Sequence, residues 1–132
     1  RLVFAKLIPL SEHLARHRLA DLFLDTLPYN AHTTASDALW AGLPVLTLYG
    51  SSFAGRVSAS LLTAMGLQDL ITNSPEEYEN RAVDLANHPE KMNQLKTRLV
   101  ENKKNSPLFD PKLFAKDIEN LYINAINSSS KI

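Results

Sequence analysis

The sequence contains no cysteine, which excludes disulfide bonds and metal sites built on thiolates. It has no excess of charge of either sign, because 14 basic and 14 acidic residues leave a formal net charge of zero. A balanced charge argues against a broad basic surface that binds nucleic acid. No apolar run approaches the roughly 20 residues that a membrane-spanning helix needs. We therefore expect no nucleic acid and no membrane among its partners, and a cytoplasmic location.

Two widespread nucleotide-binding signatures are missing as well, since neither G-x-G-x-x-G nor the P-loop motif occurs. The four histidines do not have the spacing of metal ligands, so no metal ion is expected. The chain also lacks an initiator methionine and a signal-peptide pattern. It begins almost inside an apolar run, and we expect it to be a piece of a longer protein.

What is present is an alternation of apolar runs and helix-like stretches in 132 residues, enough for one domain with one core. The apolar runs predict strands at residues 2–8, 21–25, 45–49 and 67–71. Helices are predicted between these strands, and three more helices follow the last one. This alternation predicts an α/β fold, a Rossmann-like parallel sheet with flanking helices on both faces. We assign residues 1–126 to this domain and expect residues 127–132 to be a fraying polar tail.

Capping residues mark the starts of three of these helices. Ser11 follows the first predicted strand and is expected to cap a short helix. Ser74, before a proline and two glutamates, has the pattern of a capping box at a helix start. Asp110, before another proline, is expected to cap the last helix. That helix is predicted to be amphipathic, because its apolar residues recur at helical spacing.

Residues 32–42 combine a helix start with a high density of polar groups. His32, Thr33 and Thr34 follow a predicted strand, where a parallel sheet presents the N-terminus of the next helix. The free N–H groups of a first helical turn need acceptors, and a diphosphate can supply them. Asp37, one turn later, could accept hydrogen bonds from ribose hydroxyls or could simply be solvated. The alternative is capping alone, with Thr34 and Asp37 as a capping box and a left-handed Gly42 at the end.

Other polar residues leave two interpretations open. His13 and Arg16 share a helix face, so they could stack on and contact a nucleotide base, or could form an exposed polar face. Asp25 ends a predicted strand, where it could be catalytic or could organise the loop that follows. His17 is expected to face solvent, and Trp40 is expected to lie in the core.

Taken together, these motifs resemble the C-terminal part of the catalytic region in the O-GlcNAc transferase and SPINDLY family, most closely its bacterial members. The likeness covers nearly the whole chain without a large gap, and the combined pattern is far more specific than any of its pieces. The residues that carry it are Leu24-Asp25-Thr26, Pro28-Tyr29-Asn30, His32-Thr33-Thr34, Asp37 to Val45, Arg56 to Leu62, Ser106-Pro107-Leu108-Phe109 and Leu121-Tyr122.

The resemblance implies the GT-B architecture, in which two Rossmann-like halves hold a sugar nucleotide between them. This chain would be the C-terminal, donor-binding half. The implied reaction transfers N-acetylglucosamine or a related sugar from UDP to Ser or Thr hydroxyls of acceptor proteins, without a required metal. The implied partners are the sugar nucleotide, the acceptor proteins, and the upstream catalytic half and TPR repeats of the same chain. No cofactor is implied beyond the donor, expected to be UDP-GlcNAc.

The resemblance also assigns roles to individual positions. His32, Thr33 and Thr34 match the motif that holds the diphosphate, and Asp37 matches the acid that binds the ribose. No catalytic residue is assigned, because the acid/base groups of the family lie upstream of this segment.

At the base end, the resemblance places His13 beside the uridine, Arg16 on the base and the backbone of Ile8 on the uracil. Leu10 departs from the pattern, since animal enzymes carry a lysine there near the ribose.

Three alternatives remain open at this point. SPINDLY-type relatives use GDP-fucose, although the His-Thr-Thr form favours UDP. A second possibility keeps the fold with another reaction, such as nucleotide-sugar epimerisation or transfer to lipid or glycan. A third is a nucleotide-binding module without catalytic activity.

Overall fold

The computed structural model describes residues 2–129, apart from the side chain of Ser129. Three short strands alternate with helices: β1 is Phe23–Leu24, β2 is Val45–Leu48 and β3 is Ile71–Thr72. The helices are α1 Leu10–Arg16, α2 Thr33–Ala41, α3 Val57–Ala64, α4 Pro75–Asn87, α5 Pro89–Lys103 and α6 Pro111–Ser129. Single 3₁₀ turns lie at His17–Leu19, Gln68–Leu70 and Pro107–Phe109.

The strands form one parallel sheet in the order β1-β2-β3. Phe23 is paired with Val45, and Thr47 with Ile71. Parallel neighbours need a crossover connection, and α2 and α3 supply the two crossovers. The predicted α/β class, with a parallel sheet and intervening helices, is therefore confirmed.

Both faces of the sheet are covered by helices, as predicted. Val45, Leu46 and Thr47 in the central strand are fully buried, although their side chains alternate between the two faces. Crossovers of one hand place α2 and α3 on the same face, and these helices pack against each other. The other face is covered by α4, which packs on β2 and β3 and also contacts α5.

The core lies between the helices and the central strand. It contains fully buried leucines from β2, from the crossover helices and from α5, namely Leu39, Leu46, Leu62 and Leu99. Each such side chain stabilises the fold by about 1.5–3 kcal/mol relative to an exposed one. Burial of this kind fixes where α2 starts relative to the sheet.

The strand predicted at residues 2–8 is wrong. This segment has no regular secondary structure, and Leu2, Phe4 and Leu7 are 84%, 90% and 100% exposed. An apolar, β-prone run becomes a strand only when a neighbouring strand pairs with it and helices cover it. Within residues 2–129 neither condition is met for this segment, so the sheet has three strands where four were expected.

Two predicted caps are present. The Ser74 hydroxyl accepts a hydrogen bond of 3.1 Å from the Glu77 N–H, and the Glu77 carboxylate accepts one of 2.7 Å from the Asn73 N–H. Asp110 accepts bonds of 3.0 Å from the N–H groups of Lys112 and Leu113. Both prolines then stand at the first helical position, where a missing N–H has no cost.

Two other predicted caps are wrong. Ser11 lies inside the first turn of α1, and the N-cap of that helix is Pro9 without a side-chain bond. Thr34 likewise lies inside α2, whose N-cap is His32, so Thr34 and Asp37 do not form a capping box. A hydroxyl caps a helix only from the N-cap position itself. Gly42 is left-handed at φ +87°, as expected.

The last helix, α6, extends into the predicted tail, and most of its residues are exposed. α6 continues through Ser129, so residues 127–129 of the expected tail are helical, and residues 130–132 lie outside the described part. Its apolar stripe is open to solvent, with Phe114 65% and Tyr122 67% exposed. Among residues 2–129, no helix is long and apolar enough to cross a bilayer.

Candidate functional site

Asp25 is buried and holds the loop that follows β1. One carboxylate oxygen accepts hydrogen bonds from the N–H groups of Thr26 at 2.8 Å and Ala31 at 2.7 Å. The other oxygen accepts a bond of 2.6 Å from the Thr47 hydroxyl. Both oxygens are thus engaged by the chain itself, which supports the alternative that Asp25 organises the loop. A buried carboxylate needs such donors to offset its lost hydration.

Tyr78 reaches the same place from α4, where its hydroxyl donates a 3.0 Å hydrogen bond to the Asp25 carbonyl oxygen. Its partial burial raises the pKa of Tyr78, and the nearby negative charge of Asp25 adds to this. Both causes disfavour the phenolate. Tyr78 therefore remains a protonated donor at neutral pH and joins α4 to the end of β1.

The loops after β1 and β2 meet at this edge of the sheet. The Asn30 N–H donates to the Ala54 carbonyl oxygen at 3.0 Å, and the Ser58 hydroxyl donates to the Ala31 carbonyl oxygen at 2.8 Å. A Cβ on Gly55 would lie only 3.1 Å from the Pro28 carbonyl oxygen, so a glycine allows the two loops to approach. The segment before α2 is therefore held from both sides.

The start of α2 presents unpaired donors. Its first internal hydrogen bond runs from the Ser36 N–H to the His32 carbonyl oxygen at 3.1 Å. Within residues 2–129, no side chain caps the helix, and no acceptor pairs the N–H groups of residues 33–35. Thr33 and Thr34 are exposed, so two hydroxyls stand beside these N–H groups. Such an arrangement can bind a phosphate group through oriented donors and the helix dipole.

His32 adds a buried polar atom to the same place. Its Nε2 is buried and has no hydrogen-bond partner among the described residues. The Oδ1 of Asn30, two residues earlier, is also buried without a partner. Unpaired buried polar atoms are uncommon and costly, and they are frequent where a ligand or water completes the site.

Asp37 lies one turn further along α2 and is partly exposed. It shares the helix with Thr33 and Thr34, so its carboxylate belongs to the same short surface as the two hydroxyls. The structure places these residues together as predicted, which leaves their ligand as a separate question.

His13 and Arg16 lie on α1, which packs against α2. The Arg16 guanidinium donates a 3.0 Å hydrogen bond to the Lys6 carbonyl oxygen and so holds the segment that contains the partly buried Ile8. The His13 ring meets the His17 ring edge-on, with centroids 4.9 Å apart. The predicted base end is therefore on the helix beside the predicted phosphate end.

Two residues lie where the sequence did not place them. His17 is buried, and its Nδ1 is 2.9 Å from the His13 carbonyl oxygen, so the expectation that it faces solvent is wrong. Trp40 is 52% exposed and is not a core residue. It packs edge-on against Phe109 at 5.1 Å, and the Lys103 ammonium lies 4.8 Å from its ring centre.

Sequence reasoning missed the residues that support the site. Thr47 is a polar residue in an apolar strand, and that contrast is a signal for a buried hydrogen-bond partner. Ser58 and Phe53 carry no local signal, because their contacts with Ala31 and His32 join segments that are distant in the sequence. Tyr29 stacks on His32 three residues further along the chain, and the sequence pattern did not single out this pair. In the part of the chain that the structure describes, no group of three or more His, Asp or Glu side chains is placed to hold a metal ion.

This sequence matches a known protein family and resembles several of its members. The sequence model of glycosyl transferase family 41 matches residues 1–118. The chain belongs to this family. A probable UDP-N-acetylglucosamine–peptide N-acetylglucosaminyltransferase of Arabidopsis thaliana, named SEC, is 41% identical over 128 residues, which are 96% of this chain and 13% of that protein. The UDP-N-acetylglucosamine–peptide N-acetylglucosaminyltransferase of Caenorhabditis elegans is 36% identical over 92% of this chain and 10% of its own length.

A solved structure shows the same fold in the family. A point variant of the Thermobaculum terrenum O-GlcNAc transferase superposes with a TM-score of 0.82 at 36% identity, over 87% of this chain and 22% of that one. The family resemblance and the glycosyltransferase fold are thereby confirmed. The family 41 chain described here spans only about a tenth to a fifth of these relatives, and its assignment to bacterial members stays a prediction.

Proposed function

We propose that this chain is the donor-binding half of a protein O-GlcNAc transferase of family 41. The observation that carries the proposal is the start of α2, where unpaired N–H groups, the exposed Thr33 and Thr34 hydroxyls and the unpartnered His32 Nε2 belong to consecutive residues. This is a set of donors for which a diphosphate is a suitable acceptor. The donor would be UDP-GlcNAc, the nucleotide sugar in the names of the family relatives.

The remaining predicted residues extend the site along the nucleotide. Asp37 would accept hydrogen bonds from the ribose hydroxyls, since it stands one turn beyond the threonines. His13 and Arg16 would contact the uridine from α1, and the backbone at Ile8 would pair with the uracil. Support comes from the packing of α1 on α2 and from the Arg16 bond that holds the segment before α1.

The chemical contribution of this half is electrostatic. When the sugar leaves, negative charge grows on the β-phosphate of UDP. Donors that are already oriented stabilise that charge without reorganising, which lowers the barrier more than flexible donors would. His32, Thr33 and Thr34 are attached to a helix whose start is held by Asp25 and Ser58. No residue in this chain is proposed to transfer a proton.

The other half of the catalytic region, TPR repeats and acceptor proteins are the proposed partners, and a cytoplasmic location belongs to the same proposal. The exposed apolar residues at positions 2–7 and along α6 support a larger assembly, because a folded chain rarely leaves such surface open.

The test is nucleotide binding by the full-length protein that contains this segment. Calorimetric titration of UDP, UDP-GlcNAc and GDP-fucose is expected to show the tightest binding for a UDP ligand. Thr34→Ala and Asp37→Ala should each weaken UDP by about 10-fold or more, the usual effect of a lost hydrogen bond to a charged group. Thr97→Ala on α5 and Asp117→Ala on α6 remove the same side chains from exposed positions and should leave affinity unchanged.

The outcomes separate the alternatives. Unchanged UDP affinity in both folded site variants would overturn the proposed site. If GDP-fucose binds most tightly, the donor is GDP-fucose and the reaction is that of a fucosyltransferase. Binding of UDP-GlcNAc without transfer to any protein would favour an epimerase, a transferase with another acceptor, or a binding module.

A further inference from the structure

Three aromatic rings meet at the start of α2. The Tyr29 ring stacks on the His32 imidazole, with centroids 4.9 Å apart and planes inclined by 18°. The Phe53 ring meets the same imidazole edge-on, at 6.3 Å and 89°. Tyr29 comes from the loop after β1, and Phe53 comes from the loop after β2. The imidazole is therefore contacted by a ring from each of the two loops that border the site.

The contacts matter because His32 lacks the usual means of orientation. Histidines in binding sites are commonly held by a hydrogen bond from one ring nitrogen to a carbonyl or carboxylate. Within residues 2–129, the His32 imidazole makes no such bond, and its Nε2 is buried without a partner. The two aromatic contacts are therefore the ring interactions available to fix its orientation.

The exposure of the two rings supports a role beyond packing. Tyr29 is 63% exposed and Phe53 is 78% exposed, so neither contributes much to the core. The two loops are nevertheless joined, because the Asn30 N–H donates to the Ala54 carbonyl oxygen. Within the first loop, the Thr26 hydroxyl donates to the Tyr29 carbonyl oxygen at 2.7 Å. Exposed aromatic rings on joined loops are placed to orient a neighbouring side chain.

We propose that Tyr29 and Phe53 are positioning residues for His32. They hold its imidazole so that Nε2 remains available to the diphosphate beside Thr33 and Thr34. This inference rests on the proposed function, because it takes the start of α2 as the diphosphate site. Neither ring is assigned a contact with the transferred sugar, and both act through the imidazole.

The test is a double-mutant cycle in the full-length protein, with binding of UDP and uridine measured by calorimetry. Tyr29→Leu should weaken UDP by about 2- to 10-fold, the range expected for loss of one aromatic pair. Uridine lacks the phosphates and should bind as before. Tyr29→Phe keeps the stacked ring and should bind UDP with the affinity of the wild-type protein. In a His32→Ala background, Tyr29→Leu should cause no further loss, because the ring that it orients is gone.

Phe53→Leu provides a second, independent variant, since Phe53 is exposed and its replacement should leave the fold intact. It should lower UDP affinity in the wild-type background and have no effect beside His32→Ala. Leu113→Ala on α6 is a control for loss of a partly exposed apolar side chain away from the site.

Several results would overturn the inference. Equal losses for UDP and uridine would show that Tyr29 only maintains loop structure. If Tyr29→Leu lowers the affinity for UDP-GlcNAc but not for UDP, the Tyr29 ring contacts the sugar directly. Additive losses in the His32→Ala background would show that Tyr29 does not act through the imidazole. If Thr34→Ala and Asp37→Ala also leave UDP binding intact, the proposed function fails; if they weaken it and the ring variants do not, only this inference fails.

Discussion

The carboxylate of Asp25 accepts a 2.6 Å hydrogen bond from the hydroxyl of Thr47, joining the end of β1 to the central strand. Both residues are buried, at 5% and 0% exposure. The other carboxylate oxygen binds the N–H of Ala31, immediately before His32. The position of the candidate site is therefore set from inside the sheet, through one carboxylate that links β2, the loop and the start of α2.

Thr47→Val is expected to lower the free energy of unfolding by about 1–3 kcal/mol. The change keeps shape and removes one donor, which leaves a buried carboxylate oxygen without its partner. Urea unfolding of the 132-residue chain is the measurement. Thr97→Val makes the same change at an exposed position of α5, where little effect is expected. Equal effects of the two substitutions would contradict the role of the Asp25–Thr47 bond.

Ser74→Ala is expected to destabilise the chain by about 1 kcal/mol, because the Ser74 hydroxyl accepts the Glu77 N–H at the start of α4. Ser11→Ala is the matched comparison. Ser11 looks like a cap in the sequence but lies inside α1, so its loss should change stability by less than about 0.5 kcal/mol. Urea unfolding of both variants distinguishes the two serines, and a larger loss at Ser11 would refute the helix boundaries.

Lys91→Gln is expected to raise the pKa of Asp84 toward its ordinary value. That pKa is lowered chiefly because the Asp84 carboxylate accepts a 2.6 Å hydrogen bond from the Lys91 ammonium. The charges of Lys91, His88 and Arg81 act in the same direction. In the folded state the carboxylate therefore takes up its proton at lower pH than in the unfolded state.

The resulting stabilisation is complete above the ordinary carboxyl pKa and is lost as pH falls through the lowered value. NMR titration of the side-chain carboxyl carbon measures both the wild-type value and the change. Lys104→Gln removes an exposed lysine at the end of α5 and should leave the titration of Asp84 where it was. An unchanged pKa in Lys91→Gln would show that the pair does not persist in solution.

The isolated 132-residue chain is expected to bind UDP weakly or not at all and to transfer no sugar. The proposed site is one side of a cleft, and no proton-transferring residue is assigned to this half. Calorimetry with UDP and a mass-spectrometric assay of peptide glycosylation check the two statements, with the full-length protein as the positive control. Glycosylation by the purified segment would refute the proposal that proton transfer requires the other half of the catalytic region.

The sequence predicted the elements whose signals are local. Ser74 and Asp110 form the predicted caps, and Gly42 adopts the predicted left-handed conformation, because these features involve only residues within a few positions of each other. The polar start of α2 was likewise recognised from the order of His32 and the two threonines after a buried run. The family match confirms the identity that this pattern indicated.

Features that depend on distant neighbours were decided only by the tertiary structure. Residues 2–8 have strand-like composition but lack a partner within the described chain, and Trp40 has core-like composition but lies on the surface beside Phe109. The bond between Asp25 and Thr47 and the contact of His32 with Phe53 bring together separate segments. The sequence by itself determined the starts of α4 and α6, the end of α2 and the polar groups of the site, because short-range backbone geometry dictates them. Folding decided which of those groups are buried, paired or left free, because burial depends on what the rest of the chain places beside them.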